Sequence, residues 1–108
     1  MIARVCSEFV ISTRMEDFLA KLRDEVLPAY ISANGILSVM ILRRALIGYT
    51  EVLILSLWES QDAVLQFASR ESFDEAYIRE LGIIRKERLA FDVICSWSSE
   101  LTSRDLLS

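Results

Sequence analysis

Apolar positions recur along this chain with two different periods, and the switches between them set the order of the elements. From Ile2 to Ile11 the period is two. Ala3, Val5, Phe9 and Ile11 point one way and Arg4 and Glu8 the other, which reads as a strand. From Met15 onward the steps become three and four: Met15, Phe18, Leu19, Leu22, Val26, Leu27, Tyr30 and Ile31 make one stripe, the pattern of an amphipathic helix with one buried face. Thr13-Arg14-Met15-Glu16 reads as a capping box at the start of that helix, and Ser32-Ala33-Asn34-Gly35 as its stop. Pro28 falls inside the stripe and predicts a kink or an end, because it lacks an N–H and its ring crowds the preceding turn.

Two further strands follow. The first covers about Ile36 to Leu46, and its run ILSVMIL is apolar on both sides, which predicts burial on both faces. Ile47-Gly48-Tyr49 makes a hairpin turn, and the next strand runs from about Thr50 to Trp58. Ser60 reads as the cap of a second helix with Ala63, Val64, Phe67 and Ala68 inward. Ser72-Phe73-Asp74-Glu75 reads as another capping box that restarts a helix to about Arg85, with Phe73, Tyr77, Leu81 and Ile84 inward. Leu89, Phe91, Val93, Cys95 and Trp97 alternate with Asp92 and Ser96, which predicts a fourth strand.

The order is therefore β-α-β-β-α-β, the ferredoxin-like unit. This is an α+β fold with a four-stranded antiparallel sheet and helices on one face. Residues 1–97 read as one domain and 98–108 as a mixed tail. A sheet with helices on one side needs cover on the other. No spare strands supply it, so the cover is expected from a second copy of the chain related by a two-fold axis.

Composition sharpens that expectation. At 108 residues with 53% apolar residues, the chain has more apolar surface than a small domain hides alone. Net charge is −4 with scattered basic residues, which disfavours nucleic acid as a partner. The longest apolar runs stop well short of the roughly 20 residues that span a bilayer, so no membrane partner is expected. Cys6 and Cys95 lack metal-ligand spacing and both fall in expected strands, where a reduced Cys behaves as a small hydrophobe. The start MIARVCSEF alternates like a strand and carries no secretory pattern. A cytoplasmic location follows as an expectation. The chain has no histidine, which removes the usual haem ligand, general base and zinc ligand together; no metal site and no cofactor are expected.

Several short signals occur in a fixed order: Leu27-Pro28, Gly35, Leu42-Arg43-Arg44, Leu57-Trp58-Glu59-Ser60, and Ala63 with Phe67-Ala68. Over residues 2–97 this arrangement resembles the antibiotic biosynthesis monooxygenase-like family. The resemblance implies a dimeric α+β barrel. It also implies one of several chemistries: oxidation of polycyclic phenols by oxygen without metal or flavin, haem degradation, or oxidation of quinols. The haem-degrading pattern places a Trp nine residues after Trp58 and the iron-binding His ten further on. Here those positions are Phe67 and Tyr77, and the strand-1 Asn of that pattern falls near Cys6 or Ser7. The whole set departs, which argues against haem degradation, although a Tyr binds haem iron in some proteins.

Cofactor-free oxidation asks the protein only for positioning and electrostatics around an electron-rich ligand. Trp58 and Tyr77 are the candidate catalytic residues, and Phe67, Asn34, Tyr49 and Ser7 the candidate ligand-binding ones. Each also has a plain structural role available. Trp58 and Phe67 fit a core, Tyr77 a packed helix face, Asn34 a turn and Tyr49 a hairpin. Two readings stay open: a homodimer that oxidises a small aromatic, phenolic or quinol ligand held between helices and sheet, and a non-enzymatic ligand-binding or structural homodimer whose bulky side chains fill that space.

Overall fold

The computed structural model describes residues 1–70, 79, 82–97 and 99. The first strand, β1 (Ile2–Ile11), lies in the middle of a sheet ordered β2-β3-β1-β4. β3 (Tyr49–Trp58) runs antiparallel on one side of it, from Ile2 opposite Trp58 to Ile11 opposite Tyr49. β4 (Ile83–Asp92) runs antiparallel on the other, with Ala3 opposite Phe91 and a register shift at Phe9/Val10. β2 (Ile36–Ala45) closes the sheet as an edge strand paired to β3 through the hairpin.

The helical stretch after β1 begins with a single 3-10 turn, Ser12–Arg14, and continues as α1 (Met15–Lys21), a π-helical segment over Leu22–Val26, and α2 (Leu27–Ile31). The expected capping box is not formed, since no side chain caps the start of α1. Pro28 neither ends nor breaks the helix. It stands in the first turn of α2, directly after the wider π turn, where its missing N–H is not required. α3 (Gln61–Arg70) is capped as expected, with Ala63 N–H donating to Ser60 Oγ at 3.2 Å.

Two boundaries differ from expectation. β4 starts at Ile83, whereas the sequence pattern predicts a helix to about Arg85. The pairing offered by the second edge of β1 outweighs helix propensity there. β4 also ends at Asp92 rather than Trp97. Val93 N–H still reaches Met1 O at 3.1 Å, but among the described residues no strand pairs with residues 94–97, and Cys95 is exposed and outside the sheet. The capping box at residues 72–75 and Tyr77 lie outside the described residues.

The helices cover one face of the sheet. On that face Ile2, Arg4, Cys6, Glu8 and Val10 of β1 and Thr50, Val52, Ile54, Ser56 and Trp58 of β3 are all buried, under Met15, Phe18, Leu22, Tyr30 and Val64. The opposite face carries Ala3, Val5, Ser7 and Phe9 of β1, Leu53, Leu55 and Leu57 of β3, Met40 and Leu42 of β2, and Leu89 and Phe91 of β4. Among the described residues nothing covers it, and Leu89, Phe91, Met40 and Leu42 are exposed. The second apolar face of β2, which its composition predicts to be buried, belongs to this surface, where the cover is expected from a second copy. As an edge strand it has only Val39 buried in the single chain.

Candidate functional site

β3 delivers Trp58 to the helix side of the sheet at its last residue, where the side chain is fully buried. Two residues earlier on the same face, Ser56 Oγ accepts the indole N–H at 2.8 Å, which fixes the plane of the ring. Ser56 in turn donates to Arg4 O across the sheet at 3.5 Å. Tyr30, in the last turn of α2, and Phe67, on α3, close over Trp58. Their ring centroids are 4.5 Å apart, and Trp58 stands 5.0 Å from Phe67 and 6.2 Å from Tyr30, all tilted by about 45–50°. These are favourable separations for aromatic pairs.

Polar groups sit among the rings. Arg4 is 4% exposed, and its guanidinium lies 5.7 Å from the centre of Phe67, within range of a cation–π attraction. Arg4 Nη1 donates to the Tyr30 hydroxyl at 3.5 Å, and Cys6 Sγ lies 3.7 Å from the same oxygen. Further along the row, Glu8 is 2% exposed, with Arg88 Nη2 4.0 Å from its Oε1. Charged side chains are seldom buried this deeply, and Arg4 and Glu8 lie four residues apart on one buried face of β1.

The arrangement brings two of the expected site residues together, Trp58 and Phe67, and separates three others. Asn34 is exposed in the turn after α2. Tyr49 opens β3 on the uncovered face, opposite Ile11. Ser7 also lies on the uncovered face, between Leu53 and Glu87, with the sheet between it and Trp58. Tyr77 falls outside the described residues. Sequence reasoning assigned no site role to Arg4, Cys6, Glu8 or Tyr30. The signal was present in the parity of β1, since Arg4 and Glu8 alternate with Ile2, Cys6 and Val10, an apolar row of its own. Both faces of β1 are therefore apolar enough to be covered, and two charges lie on one of them.

No protein-family model matches the chain, and no curated protein matches its sequence. Solved structures do match its shape. A Deinococcus radiodurans protein provisionally called an antibiotic biosynthesis monooxygenase is 14% identical, covers 93% of this chain and 99% of its own, and superposes with a TM-score of 0.72. SnoaB, a cofactor-independent oxygenase from Streptomyces nogalater, is 14% identical over 91% of this chain and 98% of its own, with a TM-score of 0.59. MhuD, a haem-degrader from Mycobacterium tuberculosis, is 16% identical over 91% of this chain and all of its own, with a TM-score of 0.61. The fold is thus the ferredoxin-like fold of the antibiotic biosynthesis monooxygenase-like proteins, as the residue pattern implied. Since that fold houses different reactions, function has to be argued from the site. No helix among the described residues is long and apolar enough to cross a membrane.

Proposed function

We propose that this protein is a homodimeric, cofactor-independent monooxygenase-like enzyme that binds a small aromatic, phenolic or quinol ligand between the helices and the sheet. One observation carries the proposal: a buried guanidinium and a buried hydroxyl, Arg4 and Tyr30, set among the rings of Trp58, Tyr30 and Phe67. An electron-rich ligand reacts with oxygen once it has lost a proton, because its own electron pair then does the reducing. One oxygen atom enters the ring and the other leaves as water. On this reading the protein contributes rings that exclude water and a cation beside the oxygen that takes up charge. Trp58 and Phe67 stack and orient, Arg4 stabilises the anion, and Tyr77 remains a proposed participant. Cys6 and Cys95 form no disulfide, in keeping with a reducing compartment such as the cytoplasm.

The same ring contacts favour a second reading, in which the three side chains fill the space themselves and the dimer is structural. Oxygen uptake with a panel of polycyclic phenols separates the two. Trp97→Phe leaves Trp58 as the remaining one of the chain's two tryptophans, so quenching of its emission reports entry of a ligand among the rings. We expect quenching and oxygen uptake together, with uptake reduced about 100-fold in Arg4→Met. Unchanged emission across the panel would establish the filled interior instead.

A further inference from the structure

The rings of Tyr30, Trp58 and Phe67 are packed against one another, so a ligand reaches Trp58 only when one of the three moves aside. Trp58 ends a strand that is paired on both sides, and Phe67 stands on a ten-residue helix with a capped start. Tyr30 stands on α2, which is five residues long. It is the only buried residue of that helix; Leu27 is half-buried, and Pro28, Ala29 and Ile31 are exposed. A helix this short is not stable on its own, so its position depends on that one ring. Both of its ends are suited to bending. On the N-terminal side, Leu27 N–H bonds to Leu22 O across the π turn, and Pro28 has no N–H to add a second bond. On the C-terminal side the chain turns at Gly35, whose φ is +84° and whose carbonyl is fixed by Glu59 N–H at 2.8 Å. Between the two, Ser32 N–H to Pro28 O and Ala33 N–H to Tyr30 O, each 3.1 Å, hold the segment together as a unit.

We infer that α2 is a gate over this site: it swings outward between the π turn and Gly35, carries Tyr30 away from Trp58 and Phe67, and a phenol enters in its place. The inference rests on the reading of this space as the ligand site and adds how a ligand reaches it. The Tyr30 side chain is itself a phenol. Its ring centre lies 4.5 Å from that of Phe67, and its hydroxyl is 3.5 Å from Arg4 Nη1 and 3.7 Å from Cys6 Sγ. The space it leaves on swinging out has the outline of one para-substituted phenol, bounded by the same rings and the same polar groups. In the closed state the protein occupies its own site. The affinity for a ligand is then reduced by the fraction of molecules that are open. Minor open states of this kind present pockets that the closed structure lacks. No covalent bond changes; the hydrogen bond between Leu27 and Leu22 breaks and re-forms with the gate.

The probe is p-cresol, the tyrosine side chain as a free molecule. It is titrated into the Trp97→Phe protein, where Trp58 emission reports binding and amide hydrogen exchange, followed by NMR, reports the gate. We expect p-cresol to change the emission and to speed exchange at Leu27 at least about tenfold, with the amides of β1 and β3 unchanged. Tyr30→Ala in the same background has no ring to displace and should bind p-cresol at least about tenfold more tightly. A change in emission with Leu27 exchange unaltered would overturn the gate and leave the ligand site in place. Binding to Tyr30→Ala alone would show that Tyr30 does not leave, which overturns the gate and favours the filled interior. Absence of binding to either protein would remove the ligand site as well. Gate opening without oxygen uptake on any phenol would uphold the gate and remove the oxygenase. Should Tyr30→Ala fail to fold, the Trp97→Phe protein alone decides: Leu27 exchanging no faster than β1 at saturating p-cresol would overturn the inference.

Discussion

Gly35 holds the end of α2 against the start of α3. Its φ of +84° lies in the left-handed region, and a Cβ placed there would fall 2.6 Å from Ala63 Cβ. Its carbonyl accepts Glu59 N–H at 2.8 Å, one residue after Trp58. The turn therefore sets how closely α3, and with it Phe67, approaches the sheet. Gly35→Ala is expected to cost about 2–4 kcal/mol, combining the left-handed penalty with overpacking against a helix backbone. Gly48 provides the control. Its φ is +77°, but a Cβ there meets nothing within 4 Å, so Gly48→Ala should cost about 1 kcal/mol. Urea midpoints of the two variants measure the difference, and equal costs would show that contact with α3 is immaterial. Trp58→Phe removes the donor to Ser56 and part of a fully buried ring. About 1–2 kcal/mol of destabilisation is expected by the same measurement.

The two helix starts respond differently to the loss of a hydroxyl. Ser60→Ala removes the 3.2 Å bond to Ala63 N–H and should lower stability by about 1 kcal/mol, with Ser60→Asp restoring most of it. Thr13→Ala should change little, because no side chain caps α1 and Thr13 is exposed. Thermal melts of the three variants check the ordering. Both starts carry cap residues in the sequence, and what separates them is the turn that precedes each helix. β1 runs into a 3-10 turn whose Ser12 N–H is taken by Gly48 O, whereas β3 ends at Trp58 and leaves Ser60 free to cap. The same distinction describes how much of the molecule was legible before its structure. The order of strands and helices followed from local periodicity, and so did the inward faces that carry Trp58 and Phe67. The reach of β4 back to Ile83 did not, because it depends on the unpaired edge of β1, a long-range demand that no local window contains. Arg4 and Glu8 alternated correctly with their neighbours; the missing piece was which face the helices would take.

At the scale of the whole molecule, each face of the sheet is apolar, and the described residues cover only one of them. The uncovered face is centred on Leu55, which pairs with Val5 on one side and Met40 on the other. Exposed Leu89 and Phe91 lie beyond Val5 on β4, and Leu42 lies beside Met40 on β2. A contiguous apolar sheet face of this kind marks an association surface. A second copy docked by a two-fold axis would bury it with the same residues on both sides. Its rim already carries a charged pair suited to that position, Arg44 Nη2 and Glu51 Oε1 at 2.6 Å. The wild-type protein is therefore expected to sediment as a dimer. Leu55→Asp tests the surface, because the two-fold axis brings the substituted residue in twice, as two carboxylates in an apolar contact. A loss of at least about 3 kcal/mol, or more than about 100-fold in the dimer dissociation constant, should follow. Sedimentation velocity across a dilution series reads the result. Leu55 faces away from Trp58, so the variant should keep the Trp58 emission of the wild type while it dissociates. A dimer of undiminished affinity would place the association surface elsewhere. Dissociation with a shifted Trp58 emission would show instead that the ring cluster depends on the second copy, although the two lie on opposite faces of the sheet.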